Sequence, residues 1–227
     1  MAIRAVAIDI DGTLTDETRR LNLGAVGKIR EIEARNIPVI LATGNILCMS
    51  EAASIFIGTS GILIAENGGI IKFKSQASKY LGNVKEVERA YDYLSKHMEV
   101  EKVARSELRR TKIAIYRTVD VEGVREVLSN FHVEVVDTKF AIHIKDPGVN
   151  KGKALGMIAE EAGMKREHLV AIGDSENDRQ MLEYAGYSIS VGEEELRAVC
   201  DCVTMKSTGV GGEEALEHVL SLISKGL

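Results

Sequence analysis

Tryptophan is absent from this chain, proline occurs twice and cysteine three times. Cys48, Cys200 and Cys202 are an odd trio without framework spacing, which argues against a disulfide-stapled secreted fold and for a reducing interior. The Cys200-x-Cys202 pair is better explained as small apolar side chains beside a strand than as a soft-metal site. The five histidines, His97, His132, His143, His168 and His218, are scattered, and no two have ligand spacing, so a zinc site is not expected. A basic excess is missing too: the net charge is -5 and no stripe of Lys and Arg stands out. Nucleic acid and membrane are therefore not expected as partners. No apolar run is long enough to span a bilayer, and Asp9 interrupts the apolar stretch at the amino terminus, so a cytoplasmic location is expected. What remains is 227 residues, 45% hydrophobic and 28% charged, enough for one sizeable domain or a core with a smaller second unit.

The stretch from Val6 to Asp16 organises the rest. Ile3 to Ile8 form a β-branched, apolar run of the kind found in a strand buried on both faces of a parallel sheet, and the run ends in acid. Asp9 and Asp11 stand two apart, so both carboxylates project to one side before Gly12 turns the chain away. A turn explains one aspartate but not a second inside the apolar run. Two like charges there call for a cation, and one carboxylate can act as a nucleophile towards phosphorus while the other exchanges protons.

Asn22 is placed to cap a helix carrying Leu23, Val26, Ile29 and Ile32 at helical spacing. Asn36 and Pro38 end it, and Val39 to Ala42 form a second buried strand running into Thr43-Gly44-Asn45. The βαβ connection puts Thr43 on the same rim as Asp9, where its hydroxyl can donate to an anion; the alternative is an N-cap for a helix from Ile46 to Ile57. Ile62 to Ala65 make a third strand, and Glu66-Asn67-Gly68-Gly69 a tight hairpin turn to which only a structural role is given.

The pattern changes over residues 82–147. A helix (84–98), strand-like runs at 103–107 and 112–117, a helix (121–131) and runs at 133–136 and 140–145 make an inserted αββαββ lid on an α/β core formed by residues 1–81 and 148–227. Its strands are expected to alternate, one face on helices and the other open. Lys139, His143 and Tyr116 lie in it as candidate substrate contacts, each equally explained by packing or solvation.

Lys151 opens the next helix, where the helix dipole disfavours a cation, so an anion is expected beside it; Lys153 suits a solvated surface. Leu169 to Gly173 give a fourth parallel strand, ending in Asp174-Ser175-Glu176-Asn177-Asp178. Ser175 and Asp178 fit a capping box, which explains Asp178 structurally, whereas Asp174 is another acid closing a buried strand. Short strands at 187–191 and 202–204, helices near 193–199 and 213–223 and a glycine-rich loop at 209–212 complete the chain. Asp9, Asp174 and Asp178 together make an oxygen-only site suited to magnesium.

Four motifs in this order, Asp9-x-Asp11-Gly12-Thr13, Thr43-Gly44, Lys151 before its helix, and Gly173-Asp174-Ser175-x-Asn177-Asp178, resemble those of the haloacid dehalogenase superfamily, in its Cof-type branch with a small cap. The resemblance implies a Rossmann-like core with an inserted α+β cap, and a magnesium-dependent phosphomonoester hydrolase. In that reading Asp9 is the nucleophile, Asp11 the acid and base whose backbone carbonyl also ligates the metal, and Thr43 and Lys151 bind the transferring phosphoryl group. Asp174 and Asp178 complete the metal set, and Asn45 and Asn177 join the substrate contacts. Many capped relatives have arginine at position 45, so a guanidinium contact is not carried over. The short cap is most similar to that of the archaeal phosphoglycolate phosphatases, then to sugar-phosphate phosphatases; a phosphomannomutase-like transferase is a third possibility. The expected partner is a small phosphorylated metabolite and the expected assembly a monomer or homodimer. A non-enzymatic phospho-receiver shares the acids, Thr and Lys, but places its paired acids after strand one and its acceptor on a later strand.

Overall fold

The computed structural model describes residues 2–74, 76–137, 141–192 and 194–226. Two compact units make up the chain, Met1–Ser78 with Asn150–Leu227, and Lys79–Val149. The first begins with β1 (Ala5–Asp9), α1 (Leu23–Glu33), β2 (Val39–Ala42), α2 (Leu47–Ile57), β3 (Ile62–Ala65) and β4 (Ile70–Phe73). The second contains β5 (Lys79–Tyr80), α3 (Val84–His97), β6 (Lys112–Ile115), α4 (Val121–Val127), β7 (Glu134–Asp137) and β8 (Ile142–Lys145). The chain then returns to the first with α5 (Lys151–Glu161), β9 (Leu169–Gly173), α6 (Arg179–Tyr184), β10 (Tyr187–Ser190), β11 (Cys202–Val203) and α7 (Thr208–Ser224).

The strands of the first unit lie in the order β11-β10-β9-β1-β2-β3-β4, all parallel to their neighbours except β4. Every residue of β1, β2, β3 and β9 is buried, as expected of a parallel sheet covered on both faces. One face packs Val6, Ile8, Leu41 and Ile172 against Ile29 and Ile32 of α1 and Leu216 and Val219 of α7. Each such side chain stabilises the fold by about 1.5–3 kcal/mol through removal from water. Asn22 caps α1, its Oδ1 accepting from Ala25 N at 2.9 Å. Strand order reverses between β1 and β9, which opens a crevice at the carboxyl ends of these strands.

Residues 209–212 are helical rather than a loop, since α7 starts at Thr208. The glycines serve close packing: a Cβ on Gly212 would stand 1.9 Å from the Thr13 carbonyl oxygen, so only glycine lets α7 approach the turn after β1.

In the second unit β6, β8 and β7 form an antiparallel sheet in that order. Ile113, Ile115, Ile142 and Ile144 face Val87, Ala90 and Leu94 of α3 and Val124 of α4. The expected strand at 103–107 is shortened and lies just before that span, where Lys102 bridges Ile115 and is flanked by bonds from Val103 N to the Ala114 carbonyl at 3.0 Å and from Tyr116 N to that of Glu101 at 2.9 Å. Arg105 turns left-handed (φ 64°) and Ser106–Leu108 wind into a 3₁₀ turn, which takes the backbone out of pairing. Nor does burial alternate on β6 and β8, where every residue is buried. The ammonium of Lys145 is accommodated there by Glu134 Oε2 at 2.5 Å and the Val149 carbonyl at 2.7 Å. No helix among the described residues is long and apolar enough to cross a membrane.

Candidate active site

The register of the sheet assembles the site. Asp9 pairs with Ala42 on β2, so Thr43 lies one residue beyond it; Ile8 pairs with Ile172 on β9, which brings Asp174 to the same end. Asp9 is 5% exposed and Asp178 fully buried, and between them stands Lys151, 2% exposed. Its Nζ donates to Asp9 Oδ1 at 2.5 Å and to Asp178 Oδ1 at 2.6 Å. These are the anions that the position of Lys151 in the first turn of α5 called for, while Lys153 is exposed.

Asp178 does two things at once. Its Oδ2 accepts from the backbone of Asp174 (3.3 Å) and Ser175 (3.2 Å) and from Ser175 Oγ (3.1 Å), completing the capping box, while Oδ1 faces the lysine. Asp174 Oδ1 accepts from Thr13 Oγ1 at 2.9 Å, a contact between distant positions that no local sequence feature marks. Asp9, Asp174 and Asp178 each offer a carboxylate oxygen within 4.8 Å of the others, a group able to hold a metal ion. With only oxygen donors it fits a hard divalent cation of the magnesium kind.

Electrostatics agree with that fit. Burial lifts the Asp9 carboxyl well above its usual range against the pull of Lys151, and Asp178 and Asp174 add to the rise. Burial and then Asp178 raise Asp174 to about 6, Thr13 acting against them. For Lys151, burial would lower the ammonium, but the Asp178 and Asp9 carboxylates outweigh it and hold it above its ordinary value. Three acids around one ammonium leave an excess of negative charge that a divalent ion offsets.

The Asp11 carboxylate is not one of the three acids of this group. It accepts from Asn45 Nδ2 at 2.6 Å on one oxygen and from Arg19 Nε at 2.9 Å on the other. Thr43, fully buried, does not cap α2, whose N-cap is Ile46; its Oγ1 instead accepts from Asn45 N at 3.0 Å and Asn45 Nδ2 at 3.1 Å. Asn45 thus ties Thr43 to Asp11. Asn177 is half-buried on the 3₁₀ turn before Asp178, and among the described residues its side chain bonds to none of these groups. Arg19 joins this group without a signal in the sequence, since nothing in its spacing sets it apart from a solvated loop arginine. In the second unit His143 is buried, and burial with Lys112 and Arg109 pushes it down to about 2; Tyr116 is exposed, and Lys139 lies outside the described residues.

A model of haloacid dehalogenase-like hydrolases matches residues 6–138 and 120–212. The chain belongs to this hydrolase family. Within the family it is 46% identical over 220 residues to a phosphoglycolate phosphatase of Methanothermobacter thermautotrophicus, covering 96% of this chain and 99% of the relative. It is 44% identical over 226 residues to one of Methanosarcina mazei, covering 97% and 98%. Among solved structures, one from Thermoplasma acidophilum superposes with a TM-score of 0.88 at 25% identity, covering 96% of this chain and 98% of that one. One from Thermotoga maritima does so at 0.79 and 21%, covering 95% and 97%, a likeness of fold. Membership in a hydrolase family removes the non-enzymatic receiver from consideration.

Proposed function

We propose that this phosphatase hydrolyses a small phosphorylated metabolite, 2-phosphoglycolate, through an aspartyl-phosphate on Asp9, with magnesium as cofactor. The observation that carries the reading is the buried Asp9 carboxylate at the end of β1, held 2.5 Å from Lys151 and beside Asp174 and Asp178. The substrate comes from the relatives bearing that enzyme's name along nearly their whole length.

In the first step a carboxylate oxygen of Asp9 attacks phosphorus, the bond from phosphorus to the ester oxygen breaks, and Asp11 gives its proton to that oxygen as glycolate leaves. Asp11 then takes a proton from water, whose oxygen attacks the same phosphorus; the bond to Asp9 breaks and phosphate departs. Lys151 orients the nucleophile and, with the Thr43 hydroxyl, meets charge on the transferring oxygens. Asp9, Asp174, Asp178 and the Asp11 carbonyl would hold magnesium, which when bound supplies positive charge against the acids and the phosphoryl oxygens.

The test is phosphate release from a panel of 2-phosphoglycolate, sugar phosphates and nucleotides, compared by kcat/KM with magnesium and after chelation. The expected result is the highest efficiency on 2-phosphoglycolate, lost on chelation. Asp9→Asn is expected to abolish turnover without lowering Tm. Near-normal activity in that variant, or a sugar phosphate at the head of the panel, overturns the nucleophile or the substrate respectively.

A further inference from the structure

Arg19 occupies the turn that follows the Asp-x-Asp segment. Asp16 closes this turn: its Oδ1 accepts from Thr18 N (2.8 Å), Thr18 Oγ1 (2.7 Å) and Arg20 N (3.0 Å), and Thr15 bridges Leu21 across it. Arg19 is left with φ 65°, a left-handed backbone that costs a non-glycine residue roughly 1–2 kcal/mol. The guanidinium folds back over the site. Nε donates to Asp11 Oδ1 at 2.9 Å, Nη2 lies 2.7 Å from the same oxygen, and Nη2 also donates to Asn45 Oδ1 at 3.2 Å. Since Asn45 Nδ2 donates to the other oxygen of Asp11, the three side chains form a closed ring. The arginine side chain is 57% exposed. An ion pair so open to water contributes about 0–1 kcal/mol, so it adds little to a turn that Asp16 already closes.

We infer that Arg19 binds the carboxylate of the substrate's leaving group and so selects 2-phosphoglycolate over phosphomonoesters without an acid. The inference rests on the function proposed above. There Asp11 protonates the ester oxygen, so a group bonded to the Asp11 carboxylate stands on the leaving-group side of phosphorus. In 2-phosphoglycolate one methylene joins the ester oxygen to the carboxyl carbon, which puts the acid within reach of a cation beside Asp11. Guanidinium offers five N–H donors in a planar fork matched to a carboxylate, and here only part of the fork faces Asp11 and Asn45. Asn45 retains its own 2.6 Å bond to Asp11, so the aspartate keeps a holder while the arginine turns to the substrate.

The experiment compares kcat/KM for 2-phosphoglycolate and for ethyl phosphate, in which a methyl group stands in place of the carboxylate, in the magnesium-loaded enzyme and its Arg19→Ala, Arg19→Gln and Arg19→Lys variants. Both substrates are run on the same preparation, so any loss of folded enzyme cancels in their ratio. The ratio is expected to fall by roughly 10- to 100-fold in Arg19→Ala and Arg19→Gln, chiefly through KM for 2-phosphoglycolate, with partial recovery in Arg19→Lys. Inhibition by glycolate is expected to weaken in parallel. An unchanged ratio, whether both activities fall together or neither does, overturns the inference and leaves Arg19 as a support for Asp11. A wild-type enzyme that does not prefer 2-phosphoglycolate to ethyl phosphate overturns the substrate assignment itself, and the inference with it, before any variant is read.

Discussion

Lys151 and Lys153 lie two residues apart on α5 and illustrate how differently one residue type can be used. The Lys151 ammonium is buried between Asp9 and Asp178, at 2.5 and 2.6 Å, whereas Lys153 is exposed. Removing the Lys151 charge leaves two carboxylates without water and without a cation, a situation that costs about 3–5 kcal/mol when one side of a buried pair is deleted. Lys151→Met is therefore expected to lower the urea midpoint strongly and to abolish phosphate release. Lys153→Met should move stability by no more than about 0.5 kcal/mol. Equal midpoints for the two variants would remove Lys151 from its place in the charge balance of the site.

Between β3 and β4 the chain does more than reverse. Asn67 N donates to the Thr43 carbonyl at 3.0 Å and Glu66 N to that of Asn45 at 3.0 Å, which ties the turn to the loop after β2. On its other side a Cβ added to Gly68, whose φ is 97°, would come within 2.2 Å of the Asn150 carbonyl oxygen, at the start of α5. The turn thus sets where Lys151 stands. Gly68→Ala is expected to cost about 2 kcal/mol or more and to reduce kcat/KM, because a catalytic group displaced by even about 1 Å can cost roughly 100-fold. Gly163 provides the comparison: its φ is 60°, but nothing lies within 4 Å of an added Cβ, so Gly163→Ala carries the backbone strain alone. Denaturation midpoints and kcat/KM for both variants separate strain from crowding. The sequence showed this turn as a hairpin because Asn-Gly between apolar runs is a local signal; its contact with α5 joins positions more than 80 apart (150 − 68 = 82) and leaves no local trace. Asn22 and the period of α1 were legible for the same reason, as were the acids that close β1 and β9, out of place in apolar runs. Arg105 and Arg19 were not, since left-handed backbone at an arginine is imposed by its surroundings rather than by its own preference.

Asp9 ends β1 and Asp174 follows β9, 165 positions further on (174 − 9), so the protein as a whole folds against the repulsion concentrated at its site. Asp174 shows the sign of the effect. Its ordinary value is 3.8, and burial with the neighbouring Asp178 raises it to about 6 in the folded protein. Between those values the folded state holds a proton that the unfolded chain has released. Its contribution to stability is therefore full below the lower value and lost as pH rises through about 6, at most about 3 kcal/mol. A divalent cation binds the ionised carboxylate and not the protonated one, so its linkage runs the other way. Magnesium is thus expected to raise Tm by several degrees at about pH 7.5 and by little at about pH 5, where protons already occupy the site. Asp174→Asn should abolish the increment at the higher pH. Thermal melts with magnesium and with chelator at both pH values decide the matter: an increment equal at the two, or larger in acid, would mean that the cation does not bind through these carboxylates.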